Sequence, residues 1–226
     1  MPEDLQHWQP AKTPDNRTIE GRYIRLEKLD PARHGDELWL AFQGPDSDPA
    51  LWDYLPYGPF SVREAFDAWL QNNAASRDPH FYTVIDLKNG QAQGTISLMC
   101  IVPDHGRIEI GHVTFGAPMQ RSPKSTEAVY LLAKEVFALG NRRLEWKCNN
   151  DNTRSKRTAV RLGYTYEGVF RQHMIVKGKN RDTTWYSIIS TEWPSIATSY
   201  EKWLALDNQP ESGQIKSLEE CRAVTV

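Results

Sequence analysis

Apolar and polar positions along the chain follow two periods, and the switches between them mark the elements. Residues 18–28, TIEGRYIRLEK, alternate apolar and polar and predict a strand. LDPARHGDELWLAF then moves to helical spacing, with Asp30 as N-cap and Pro31 at the first helical position. SVREAFDAWL predicts a second helix, starting at a Ser61/Glu64 capping box. The connection between the two helices, QGPDSDPALWDYLPYGPF, is rich in Gly, Pro and aromatics and reads as a long loop. HFYTVIDLKNGQAQGTISLMCIV is a hairpin turning at Asn89-Gly90, and RIEIGHVTFG is the next strand. In TEAVYLLAKEVFALG, residues Val129, Leu132, Ala133, Val136 and Phe137 share one helical face, and Gly140 ends the helix. RRLEWKC predicts a strand and NTRSKRTAVRLG a helix from Asn152 to Gly163. YEGVFRQHMIVKG and DTTWYSIIS form a last pair of strands, and TEWPSIATSYEKWLAL a closing helix. Residues 1–17 read as an N-terminal arm, 18–206 as a single domain and 207–226 as a mobile C-terminal tail.

This order implies an α/β (α+β) layered fold, with a largely antiparallel sheet of about seven strands flanked by about four to five helices. The helix between RIEIGHVTFG and RRLEWKC creates a β-α-β unit, so those two strands should run parallel.

Charge and composition narrow the function classes. The net charge of -2 supplies no broad basic field, so nucleic-acid binding is disfavoured as the main task. No run approaches the roughly 18 apolar residues of a membrane span. The start, MPEDLQHWQP, is acidic and polar rather than signal-like. Cys100, Cys148 and Cys221 lack metal-ligand spacing, and the six histidines form no His-x-x-x-His pair, so no metal is expected. Reduced thiols point to the cytoplasm.

One stretch does suggest a ligand. MQRSPKSTEA, residues 119–128, places Ser-Pro-Lys-Ser, with two hydroxyls and two nearby cations, at a strand-to-helix junction. The first N–H groups of a helix have no internal partner and carry the positive end of the helix dipole. Such an end accommodates an anion. Ser122 is a candidate cap with Pro123 at the first helical position, where a missing N–H is expendable. The alternative is a capped helix start that binds nothing.

Taken in order, EIGHVTFG, QRSPKSTEA, NTRS with RLGY, and EGVFRQHMIVKGKNRDTTWYSII resemble four landmarks of the GNAT acetyltransferase superfamily. The resemblance covers residues 18–192 and is nearest the branch of Rim-type ribosomal-protein N-acetyltransferases. It implies acetyl-CoA as donor, an amine as acceptor and direct transfer without an acyl-enzyme. The loop Gln120, Arg121, Ser122, Lys124, Ser125 and Thr126 would hold the pyrophosphate, mainly through backbone N–H groups. Val113 and Phe115 would flank the donor on the strand. Asn152 would bind its pantetheine arm or a water; its plainer role is an N-cap. Pro123 and Ser125 stand where the family usually has Gly, and Gly or Ala. Another reading, a CoA-binding module without turnover, follows from Pro123 and from Ala159, which occupies the position of the family's usual catalytic Tyr.

Acetylating an amine requires removal of a proton, donors for the oxyanion and a proton for the departing thiolate. Glu109 is the first candidate base, acting through water; its alternative is a strand-face carboxylate in a salt bridge. His112 is the second, but regular alternation puts it on the opposite face unless a bulge intervenes. Ser155, one helical turn after Asn152, is the candidate proton donor in place of the absent Tyr. Trp52, Tyr54, Tyr57 and Phe60 form the expected acceptor wall, with Phe170, Arg171 and His173 opposite. Asp182 and Trp185 read as structural. The acceptor is expected to be a small or peptide-like amine, with a protein N-terminus as the alternative, and the chain a monomer or homodimer.

Overall fold

The computed structural model describes residues 5–222. An eight-stranded sheet runs in the order β1 (Ile19–Glu20), β2 (Ile24–Lys28), β3 (His80–Asp86), β4 (Ala92–Val102), β5 (Arg107–Phe115), β6 (Arg143–Asn149), β8 (Lys179–Ile189) and β7 (Thr165–Val176). All neighbours are antiparallel except β5 and β6, which run parallel as the β-α-β unit requires. Among the described residues there are six α-helices: α1 (Pro31–Gln43), α2 (Arg63–Ala75), α3 (Pro123–Ala138), α4 (Thr153–Arg161), α5 (Trp193–Leu204) and α6 (Leu218–Arg222).

Strand alternation sorts the core into two layers. Ile24, Leu26, Tyr82, Val84, Ile96, Leu98, Ile108, Ile110 and Leu144 face one side and pack with Ala128, Val129, Leu132 and Val136 of α3 and with Tyr200 and Trp203 of α5. Phe81, Ile85 and Ala92 face the other side, against Leu38 and Phe42 of α1 and Phe66 and Leu70 of α2. The Asp30 side chain caps α1 by accepting from the Ala32 N–H, with Pro31 in the first turn. Asn152 caps α4 by accepting from the Ser155 N–H at 2.9 Å. Gly140 and Gly163 take positive φ where α3 and α4 end.

Three expectations need correction. Residues 18–28 are two strands, because the chain reverses at Gly21 and the Gly21 N–H donates to the Ile24 carbonyl. The second helix begins at Arg63, and its N-cap Val62 has no side-chain cap, so the Ser61/Glu64 box does not form. Of the expected tail, residues 207–226, the described part is docked: Leu218 and Cys221 are buried, and the Arg222 guanidinium donates to the Arg161 carbonyl. The last four residues of that segment, 223–226, lie outside the described residues. The N-terminal arm is docked on the domain, with the Ala11 N–H on the Pro103 carbonyl and the Lys12 N–H on the Leu139 carbonyl.

The turn between β1 and β2 is held by one buried side chain. The Glu127 carboxylate, in the first turns of α3, accepts from the N–H groups of Arg22, Tyr23 and Ile24 at 2.6, 2.7 and 2.9 Å. A Cβ on Gly21 would lie 2.7 Å from that carboxyl, so glycine is required at the close approach. Replacing Glu127 by Ala orphans these donors. The expected loss is about 3 kcal/mol in denaturant unfolding, with Gln losing less because it keeps one acceptor oxygen.

Candidate active site

β5 and β6 pair only at Arg107–Arg143, Ile108–Leu144 and Glu109–Glu145, and then part. Beyond that point the two strands leave a wedge at their C-terminal ends. Lys147 on β6 fixes the vertex: its Nζ lies 2.8 Å from the Glu109 carboxylate and 3.1 Å from the Glu145 carboxylate. Burial raises the Glu109 carboxyl above its ordinary value, and Lys147 opposes that shift. The Lys147 ring contact is with Trp185, whose centroid is 4.1 Å from Nζ. Cys100 on β4 lies beside the same group; burial first, and the Glu109 charge second, push its thiol up to about 11.

A bulge decides where His112 goes. Thr95 pairs with Thr114 but Ser97 with Gly111, so β5 carries one extra residue there, and His112 has φ +49°. The histidine thereby leaves the face of Ile108 and Ile110 and stacks on Tyr57, 5.6 Å between ring centroids, and near Phe81. Glu109 and His112 therefore share the α1/α2 side of the sheet. His112 Nδ1 is 3.0 Å from the Tyr57 hydroxyl. Burial, and then the Arg181 charge, lower His112 to about 4, so it is neutral at physiological pH.

At the start of α3 the Ser122 side chain does not cap the helix; it donates to the Met119 carbonyl at 2.7 Å. The Ser125 hydroxyl donates to the Ser122 carbonyl. Neither hydroxyl satisfies the first-turn N–H groups, which leaves the positive helix end without a side-chain acceptor. Arg121 is exposed with φ +54°. Three loop side chains are committed elsewhere. Lys124 pairs with Asp86 at 2.6 Å, Thr126 is buried and accepts from Arg161, and Gln120 donates to the Phe115 carbonyl. Val113 and Phe115 are half-buried against the α3 layer. The Ser155 hydroxyl accepts from the Trp146 indole N–H at 3.0 Å.

The expected acceptor wall divides. Trp52 is buried among Phe42, Tyr57 and Phe60, so it belongs to the core rather than to a pocket surface. Phe60 packs on Phe66 and Trp69. Tyr57 alone reaches His112, and Tyr54 is exposed with its hydroxyl donating to the Asp151 carbonyl. Opposite, Phe170 packs on Trp185 at 4.7 Å and His173 bonds Thr183 at 3.0 Å, while Arg171 is exposed on a β7 bulge. Trp185, expected to be structural, stands inside this group. Lys177, at the tip of the β7–β8 hairpin, donates to the carbonyls of Trp52 and Gly58 at 3.0 and 2.7 Å, tying the two walls together.

Sequence reasoning passed over Lys147, Cys100, Lys177 and Arg181. Lys147 had a usable signal: Glu145 and Lys147 are two apart on one strand, hence on one face, beside a parallel strand that carries Glu109.

A mixed sheet whose two parallel strands part over a polar wedge defines a GNAT-type acetyltransferase fold. The profile of the acetyltransferase (GNAT) domain matches residues 25–165, and the chain belongs to that family. A crystal structure of a GCN5-related N-acetyltransferase from Brucella melitensis is 44% identical, with a TM-score of 0.94 over 97% of this chain and 100% of that one. The uncharacterized N-acetyltransferase YoaA of Bacillus subtilis is 31% identical over 96 residues, 42% of this chain, and the match spans about half (54%) of that protein's length. RimL, a ribosomal L7/L12 alpha-N-protein acetyltransferase, shares the fold at a TM-score of 0.65 and 20% identity over 76% of this chain and 94% of its own.

The buried histidines give the fold an acid limit. His112 and His80 are both lowered from 6.5 to about 4 by burial, and burial lowers His34 as well. In the unfolded chain each binds its proton near the ordinary value, so on acidification the unfolded state takes up protons first. The contribution of His112 and His80 is therefore complete above about pH 6.5 and is lost as the pH falls toward about 4. Urea unfolding between those limits should lose up to about 1.4 kcal/mol per pH unit for each of these two histidines, and His112→Gln should flatten the slope.

Proposed function

We propose that this chain transfers an acetyl group from acetyl-CoA directly to a primary amine within a ternary complex. The observation that carries the reading is the wedge between β5 and β6, with a buried carboxylate at its vertex. The uncapped start of α3 follows the C-terminal end of β5. The backbone N–H groups of Lys124, Ser125 and Thr126, with the exposed Arg121, fit a pyrophosphate, and the Lys124 side chain does not, because Asp86 holds it. Side-chain chemistry also favours direct transfer. The Cys100 thiol, pushed up to about 11, stays protonated at neutral pH and is a poor nucleophile.

Glu109 is the proposed base, taking the amine proton through water. Burial keeps its carboxyl more basic than usual, and Lys147 steadies the carboxylate form. His112 serves the same chamber as a neutral hydrogen-bonding group against Tyr57. Ser155 is the proposed proton donor to the thiolate. Its oxygen is fixed by the Trp146 indole, so its own proton is left to give. The bridge from Lys177 to the loop carrying Trp52 and Gly58 narrows the acceptor side, which favours a small or peptide-like amine over a protein N-terminus. A cytoplasmic setting is part of the same proposal.

Thiol release from acetyl-CoA across a panel of amines tests the reading against a CoA-binding module that never turns over. Glu109→Gln should lower kcat by roughly 10²-fold with little change in acetyl-CoA affinity. A variant that keeps the wild-type kcat across the pH range would move the role to His112. Arg121→Ala should weaken CoA binding by about 1–3 kcal/mol, less at high salt, because the side chain is exposed. Calorimetry of CoA against fragments lacking the pyrophosphate isolates that contact.

A further inference from the structure

Arg181, near the start of β8, is an anomaly in the charge balance of the cleft. Its Nε is shielded from solvent and lacks a hydrogen-bond partner, and the guanidinium makes no ion pair with any described residue. A half-buried guanidinium without a carboxylate is unfavourable unless something else supplies the anion. The carboxylates at the vertex and next to Arg181 are already taken: Glu109 and Glu145 by Lys147, and Asp182 by the Gln172 N–H and Asn180.

A second orphan sits close in sequence. The Trp185 indole Nε1 is likewise buried without an acceptor. Alternation along β8 puts positions 181, 183 and 185 on one face, the face on which Trp185 meets Lys147, Phe170 and His173. That is the acceptor side of the wedge. Arg181 also lies within electrostatic reach of Cys148, Glu109 and His112. Both orphans are donors. A guanidinium fork with an added N–H suits a planar two-oxygen anion better than a neutral group.

We propose that Arg181, assisted by the Trp185 indole, is an anion-binding subsite for the acceptor, so that the amine substrate carries a carboxylate. This rests on the acetyl-transfer reading and sharpens it: the substrates are amino acids or similar amino-carboxylates rather than simple amines. The carboxylate neutralises Arg181, and the amino group is held toward Glu109.

The test compares standard α-amino acids with their amides as acceptors for acetyl-CoA, in the wild type and in Arg181→Met. The wild type should prefer the acid by about 10- to 100-fold in kcat/KM, the range of a charge-assisted contact. Arg181→Met should bring that ratio close to one while acetyl-CoA affinity by calorimetry stays within about two-fold. Binding is read separately from turnover by thermal unfolding of the CoA-saturated protein with acetate, against chloride at equal ionic strength and against acetamide. Acetate should raise the wild-type Tm by about 2 °C and leave Arg181→Met unmoved. Removing the unpaired cation should itself hold or raise the Tm without ligand, whereas a merely structural arginine would lower it. A wild type with no acid preference, or a variant that keeps it, overturns the proposal. So does weaker acetyl-CoA binding in Arg181→Met without loss of acid preference, which would assign the guanidinium to the thioester. If no amine turns over, acetate decides, and the absence of an Arg181-dependent shift overturns the subsite. Failure of acetyl-CoA to bind would instead overturn the acetyl-transfer reading.

Discussion

The ammonium of Lys147 between two buried carboxylates is the contact on which the cleft depends. β5 and β6 stay paired only as far as Glu109 and Glu145, and Lys147 bonds both at the place where they separate. A like-charged carboxylate pair on neighbouring strands would repel in a buried site. One shared cation turns the repulsion into a bridge, and the strands can then diverge from a fixed vertex. Buried charge of this kind adds little net stability, but breaking it leaves an uncompensated ion. The triad is best understood as holding a geometry, with Arg143 and Arg107 completing the charge balance of Glu145 on its outer side.

Divergence alone would leave an empty gap. The bulge at His112 turns the strand so that one residue after Gly111 joins the face of Glu109 and meets Tyr57 from the α1–α2 loop. The same strand then runs to the uncapped start of α3. One short segment, residues 109–126, thus supplies the vertex carboxylate, the histidine and the helix end. Its position in the middle of the sheet explains why it can be so irregular: β4 on one side and α3 beneath it are well packed.

Much of this was legible in the sequence because it follows from period and local chemistry. The element order, the parallel pair, the caps at Asp30 and Asn152 and the glycine stop of α3 all obey rules acting within a few residues. The readings that failed needed longer range. Ser61 and Ser122 have the right type for a cap, but tertiary packing starts one helix later and turns the other hydroxyl to a carbonyl. Lys124 looks like a phosphate ligand until Asp86, from the β3–β4 turn, is brought beside it. Trp52 looks like a pocket wall until α1 and α2 close over it. The bulge could be posed as a condition but not located, since register depends on both strands.

Backbone strain is concentrated where the chemistry is proposed. Among the described residues, the non-glycine positions with positive φ are Cys100, His112, Arg121, Gln172 and Lys177. Each such conformation is unfavourable by about 1 kcal/mol or more for an L side chain, so the surrounding structure must impose it. Cys100 is held by Asp78, which accepts from the N–H groups of Cys100 and Ile101, and it brings its thiol to Glu109. Gln172 is held by Asp182, and this bulge shapes the wall with Phe170 and His173. Lys177 is held at the hairpin tip by the carbonyls it bridges. Arg121 leads into the uncapped helix. A fold optimised for stability alone would place glycine or asparagine at such positions. Here a cysteine, a histidine, an arginine, a glutamine and a lysine occupy them, each on the wedge or its rim. The strain therefore traces the same boundary as the buried charges, an agreement expected of a site whose geometry is set against local preference.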